Sequence, residues 1–157
     1  MEYRKKQHPS RESQENFGKI DQIIIEAQRR LRDNIEPYDI ADLNAFERKR
    51  IHSFFDNKPE YKTKTYRDEE NYIFRIYPIG NLKNFVEKKA QEALETGVNV
   101  ALPPMSSYER FIVHDHLKTW DGIETISVGE DSERHIELKP KRFGRTLKRI
   151  IKKMKLF

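Results

Sequence analysis

The sequence predicts an α+β fold: two similar two-layer units, each a three-stranded sheet packed with two helices, then a basic amphipathic C-terminal helix. Three observations lead there. Phe46-Glu47-Arg48 followed by His52 recurs as Tyr108-Glu109-Arg110 followed by His114, 62 residues further on. Around both, apolar spacing runs in one order: helical, briefly extended, helical, then two alternating runs. The 157 residues allow one ordinary domain or two very small ones, and a repeat of this period decides for two.

The repeat extends well past the motif. Residues 43–78 lie over 105–140 without a gap, with Thr63 on Thr125 and Pro78 on Pro140. Class matches include Ile51 on Val113, Phe55 on Leu117, Phe74 on Ile136 and Ile76 on Leu138. With one extra residue in the first connection, Ala27-Gln28 falls on Ala90-Gln91 and Leu31 on Leu94. Asn34 falls on Gly97, and both residue types tolerate the left-handed conformation that ends a helix. Duplication is the reading these matches favour.

Each element has a local reason. Residues 1–16 are polar and charged and are expected to be disordered. From Phe17 to about Asp33, Ile20, Ile24, Ala27 and Leu31 recur at helical spacing. A short strand over Glu36–Ile40 follows, then a helix over Asp42–Phe55 with Asp42 or Asn44 as N-cap. Leu43, Phe46, Ile51 and Phe55 cluster on one side of that helix. Tyr61–Arg67 and Tyr72–Tyr77 read as a hairpin turning at Asp68–Asn71. In the second unit Leu82–Thr96 is helical, Gly97 stops it, and Val98–Leu102 is a strand ended by Pro103-Pro104. Ser106 or Ser107 caps a helix to about Lys118, and Ile123–Val128 pairs with Arg134–Lys139.

Composition excludes several function classes. The chain has no cysteine, hence no disulfide, thiolate metal site or thiol nucleophile. No apolar run approaches a membrane span, and the start is no signal peptide, so a cytoplasmic protein is expected. Residues 139–157 hold nine of the 31 Lys and Arg and no acid, which leaves residues 1–138 with 22 basic against 26 acidic. The body is therefore slightly acidic, and any nucleic-acid grip on it must be a local patch.

On their helices Arg48 and Arg110 fall at the edge of the apolar stripe, with His52 and His114 beyond it. An i, i+4 Arg and His on one face can grip a phosphate. The plainer reading pairs each Arg with the preceding Glu or a hairpin acid, a weak surface contact. Two copies in one register favour the phosphate site. Lys49 and Arg50 add charge to the first copy. Trp120, Phe111 and Tyr72 are candidate stacking platforms, although turn, core or interface packing is the more ordinary fate of each. Both hairpin tips are acidic, with Asp68-Glu69-Glu70 in one and Glu130-Asp131 plus Glu133 in the other, and should repel phosphate.

The stretch from Ala90 through Leu102-Pro103-Pro104-Met105-Ser106-Ser107-Tyr108 to His114, with Gly122-Ile123-Glu124-Thr125 after it, resembles the R-3-H domain of bacterial Jag-type RNA-binding proteins. The resemblance covers about residues 81–140. It implies single-stranded RNA or DNA binding, with Arg110 and His114 on the contact surface. The first copy, over residues 17–79, is similar through Phe46-Glu47-Arg48, His52 and element order, which makes the chain resemble a tandem of such domains. It has Ala41-Asp42 where the second has Pro103-Pro104. No Gly-x-x-Gly loop of a KH domain, which precedes the R-3-H domain in Jag-type proteins, occurs here.

The tail, residues 141–157, places Leu147, Ile150, Ile151, Met154 and Phe157 at helical spacing among basic residues. Arg142, Arg145, Lys148 and Arg149 are expected to add phosphate contacts. The competing readings are a helix lying on anionic membrane or docking on a protein partner. No enzyme motif is found: no phosphate-binding glycine loop, His-Glu-x-x-His or nucleophile elbow. His114 and His116 face different ways on a helix and make a poor metal pair. The expected function is single-stranded nucleic-acid binding, RNA favoured over DNA, without catalysis or cofactor.

Overall fold

The computed structural model describes residues 11–141. The residues before Arg11 and the tail, with Arg142, Arg145, Lys148 and Arg149, lie outside the described residues, and so does the predicted amphipathic helix. The elements are α1 (Arg11–Leu31), β1 (Tyr38–Ile40), α2 (Ala45–Asp56), β2 (Lys62–Asp68), β3 (Asn71–Tyr77), α3 (Ile79–Thr96), β4 (Val100–Ala101), α4 (Ser107–Leu117), β5 (Ile123–Val128) and β6 (His135–Pro140). A 3-10 turn, Asp131–Glu133, joins β5 to β6. The chain is α+β and divides into two compact units between Asn81 and Leu82. No described helix is long and apolar enough to cross a membrane.

Both sheets are antiparallel and share one topology. Strand order is β1-β3-β2 in the first unit and β4-β6-β5 in the second, so the last strand of each hairpin is central. The register carries the sequence offset into three dimensions. Thr63 pairs with Ile76 and Thr125 with Leu138, while Tyr38 faces Ile76 as Val100 faces Leu138. A one-residue slip would turn every core residue outward, so this agreement reflects one folding pattern used twice.

Ile20, Ile24, Ala27 and Leu31 of α1 pack with Ile51 and Phe55 of α2 and Phe74 and Ile76 of β3. In the second unit Val86 and Ala90 of α3, Val113 and Leu117 of α4, and Ile136 and Leu138 of β6 are buried equivalents. Period-2 burial along β6 and four-residue spacing along the helices are what half-buried elements require.

Several boundaries differ from those read in the sequence. Helix α1 begins at Arg11, six residues before the predicted Phe17, so residues 11–16 are helical where disorder is expected. Arg, Glu and Gln are good helix formers that carry no apolar signal, which is why periodicity missed them. Asn34 does not adopt a left-handed conformation. Its Oδ1 instead accepts from the Glu36 N–H at 3.0 Å, and the end of α1 is closed by Asn81, whose Nδ2 donates to the carbonyls of Leu31 at 2.7 Å and Asn34 at 2.9 Å. Gly97 does adopt the left-handed conformation (φ +69°), and its N–H donates to the Ala93 carbonyl at 2.9 Å.

Strand β4 holds only two residues where five are predicted. Leu102 still donates to the Ile136 carbonyl and Met105 to the Arg134 carbonyl, on either side of two prolines that have no N–H to give. The proline step thus interrupts the ladder while the chain keeps following β6. Phe46, expected on the apolar side of α2, is 48% exposed. The helix starts at Ala45, so Phe46 falls in its first turn, and Leu43 enters the core from before the N-cap.

Candidate nucleic-acid interface

The first turns of α2 and α4 are built alike. Asn44 caps α2: its Oδ1 accepts from the Glu47 N–H at 2.9 Å, and Glu47 Oε2 accepts from the Asn44 N–H at 2.8 Å. Ser106 caps α4, and Glu109 Oε2 accepts from the Ser106 N–H at 2.9 Å and from its hydroxyl at 2.6 Å. These are capping boxes, in which two orphan amide groups are satisfied reciprocally. Glu47 and Glu109 are only 2% and 6% exposed. The plain expectation that each Glu pairs with the following Arg is therefore wrong: both carboxylates are spent on their helix ends. Glu47 has a further partner, Lys19 Nζ at 2.8 Å. Burial raises the Glu47 pKa, but Lys19 and the Asn44 N–H outweigh it and hold the carboxyl below its ordinary value.

With the glutamates occupied, the arginines turn back along their helices. Arg48 Nη1 donates to the Leu43 carbonyl at 2.6 Å, and Arg110 Nη1 to the Met105 carbonyl at 2.7 Å. Among the described residues neither makes an ion pair. A guanidinium has five N–H donors, so this single anchor fixes the head and leaves most of its hydrogen-bonding capacity available. Arg48 also lies over the Tyr72 ring, 4.5 Å from its centroid.

The histidines are fixed by the hairpins. His114 Nδ1 is 2.6 Å from Thr125 Oγ1 on β5, and His52 Nδ1 makes the same hydrogen bond to Thr63 Oγ1 on β2. The second ring nitrogen, Nε2, takes no part in this hydrogen bond. Burial lowers the His114 pKa below its ordinary value, and the charge of Arg110 adds to that push. Both effects favour the neutral imidazole over the cation.

In the first unit Arg48, Lys49, His52, Thr63, Lys64, Thr65 and Phe74 line an open cleft of about 360 Å³. Lys64 and the two threonines were not singled out in the sequence as site residues. Arg50 is separated from this group: it lines another hollow with Ile20, Asp21, Ile24, Ser53 and Phe54. Half a helical turn parts it from Arg48, so sequence adjacency misled. Asp42, Asp68 and Glu70 line a third hollow with Tyr72. In the second unit Phe111 is 63% exposed, which removes the core reading for it. Trp120 is half-buried in the turn after α4, its backbone N–H donating to the Leu117 carbonyl at 3.0 Å. Among the described residues no three His, Asp or Glu side chains gather as metal ligands.

Residues 81–140 match the R-3-H domain family. The match falls on the second unit. The first unit shares its strand order and its Arg/His anchoring. A relative from Bacillus subtilis (strain 168), the RNA-binding protein KhpB, is 38% identical over 85 residues, covering 53% of this chain and 39% of that protein. The RNA-binding protein KhpB of Lactiplantibacillus plantarum (strain ATCC BAA-793 / NCIMB 8826 / WCFS1) is 38% identical over 63 residues, covering 40% of this chain and 20% of that protein. The chain thus spans well under half the length of these two relatives.

Proposed function

We propose that the chain binds single-stranded nucleic acid, RNA in preference to DNA, and performs no chemistry on it. Arg110 and His114 of the R-3-H domain form the main phosphate grip, with Arg48, His52, Lys49 and Lys64 as a second. The observation that carries this reading is the anchoring of each pair. The arginine is tied to a backbone carbonyl and the histidine to a threonine, in both units, and among the described residues no acid pairs with either arginine. Such preorganised donors lose little freedom when they meet a phosphate. Binding to RNA by the KhpB relatives supports the choice of ligand.

Phosphate contacts supply affinity and register but little sequence information. The basic residues Arg142, Arg145, Lys148 and Arg149 would add salt-dependent affinity of the same kind. The deciding experiment is a titration of the chain and of Arg110→Ala/His114→Ala with single-stranded RNA, single-stranded DNA and duplex. Loss of two charge-assisted contacts should weaken single-strand binding about ten- to a hundredfold. Unchanged affinity, or equal affinity for duplex, defeats the proposal.

A further inference from the structure

The two units differ in where they carry an aromatic ring beside the Arg/His pair. In the first, Tyr72 stands on β3 under Arg48, and the helix position after Arg48 is Lys49. In the second, the residue at the Tyr72 position is Arg134, and the helix position after Arg110 is Phe111. Aromatic and cation have exchanged places between helix and hairpin. In the first unit the ring holds the arginine. In the second no arginine occupies it: among the described residues no ring or cation contact engages Phe111, which is 63% exposed.

Phe111 also stands beside the phosphate grip. It is adjacent to Arg110 and three residues before His114, so it shares the solvent-facing arc of α4 with both. Its neighbours on that helix, Ile112 and Val113, are buried, so the core is already filled without it. A nucleotide carries its base and its phosphate on one sugar. A bare ring surface next to two phosphate donors therefore matches the two faces that a single nucleotide presents. The Arg110 head is tied to the Met105 carbonyl and makes no ion pair among the described residues.

We infer that Phe111 is a base-stacking platform, so that the second unit holds a nucleobase as well as a phosphate. This inference rests on the proposed function. Stacking on an aromatic ring is tolerant of base identity, so the ligand class is an unpaired nucleotide within a strand rather than a particular sequence.

The test compares affinity of the full chain for an oligouridine and for an abasic ribose-phosphate strand of the same length, at one salt concentration. The wild type should prefer the strand with bases. Phe111→Leu should reduce that preference about tenfold while leaving abasic affinity nearly unchanged, and Phe111→Trp should retain it. Arg110→Ala should instead weaken both strands together. A Phe111→Leu protein that keeps the wild-type preference overturns the inference, and so does a wild type that binds both strands equally. A wild type that binds neither strand overturns the proposed function and this inference with it.

Discussion

Thr125 Oγ1 lies 2.6 Å from Nδ1 of His114, so a hairpin hydroxyl sets the orientation of a helix imidazole. Thr63 and His52 repeat the relationship in the first unit. Replacing Thr125 with Val keeps the size of the side chain and removes the hydrogen bond. We expect RNA affinity to fall about two- to tenfold, the worth of one neutral hydrogen bond, with the thermal transition little changed. Equal binding by the variant would show that His114 needs no positioning.

The protonation of His114 gives a pH test with opposite signs for binding and stability. Its folded pKa lies below the ordinary 6.5, because burial and Arg110 disfavour the cation. A group depressed in this way stabilises the fold above its unfolded pKa, and the contribution is lost as pH falls through the folded value. A bound phosphate pushes the other way and draws a proton onto the ring. Lowering the pH from about 8 to well below the ordinary histidine value should therefore tighten binding while weakening the second unit. His114→Gln should flatten both dependences, as measured by titration and by thermal melting across that range.

The buried carboxylates offer a stability test free of ligand. Glu109→Ala removes the reciprocal half of the Ser106 capping box and should cost about 1–2 kcal/mol. Glu47→Ala should cost at least as much, because it also releases Lys19. The lowered pKa of Glu47 means that its contribution is present above the unfolded carboxylate value and fades as pH falls through the folded one. Denaturant melts of the two variants at neutral and acidic pH read this difference directly. Arg48 and Arg110 should remain able to bind phosphate in both.

Asn81 closes α1 from a distance of fifty residues in sequence. Asn81→Ala would leave the Leu31 and Asn34 carbonyls without this donor and should destabilise the first unit by about 1–2 kcal/mol. Faster amide exchange near the end of α1, with the second unit unaffected, is the expected signature.

Periodicity and the repeat were sufficient to read the element order, both hairpins, the core of each unit and the register of the Arg/His pairs. They were insufficient where a residue acts through geometry that sequence spacing does not express. Glu47 and Glu109 are visible as repeated residues with an Asn or Ser three positions earlier, but spacing alone does not tell a cap from a partner for the arginine. Thr63 and Thr125 were matched as identities, but only the strand register brings them to the histidines. Arg50 is close to Arg48 in sequence, but the helix turns it to another side. Asn34 and Gly97 match by residue type, but Asn81 closes the end of α1 and Asn34 does not turn left-handed.

In each unit the carbonyl that holds the arginine, the cap, the glutamate and the arginine itself fall within one short run, Leu43 to Arg48 and Met105 to Arg110. The histidine follows four positions later on the same helix, and only its threonine comes from elsewhere. One contiguous segment thus carries both the cap and the anchored arginine. Grafting the run from Met105 to His114, with one threonine on the facing strand, should move the grip to another helix-on-hairpin protein.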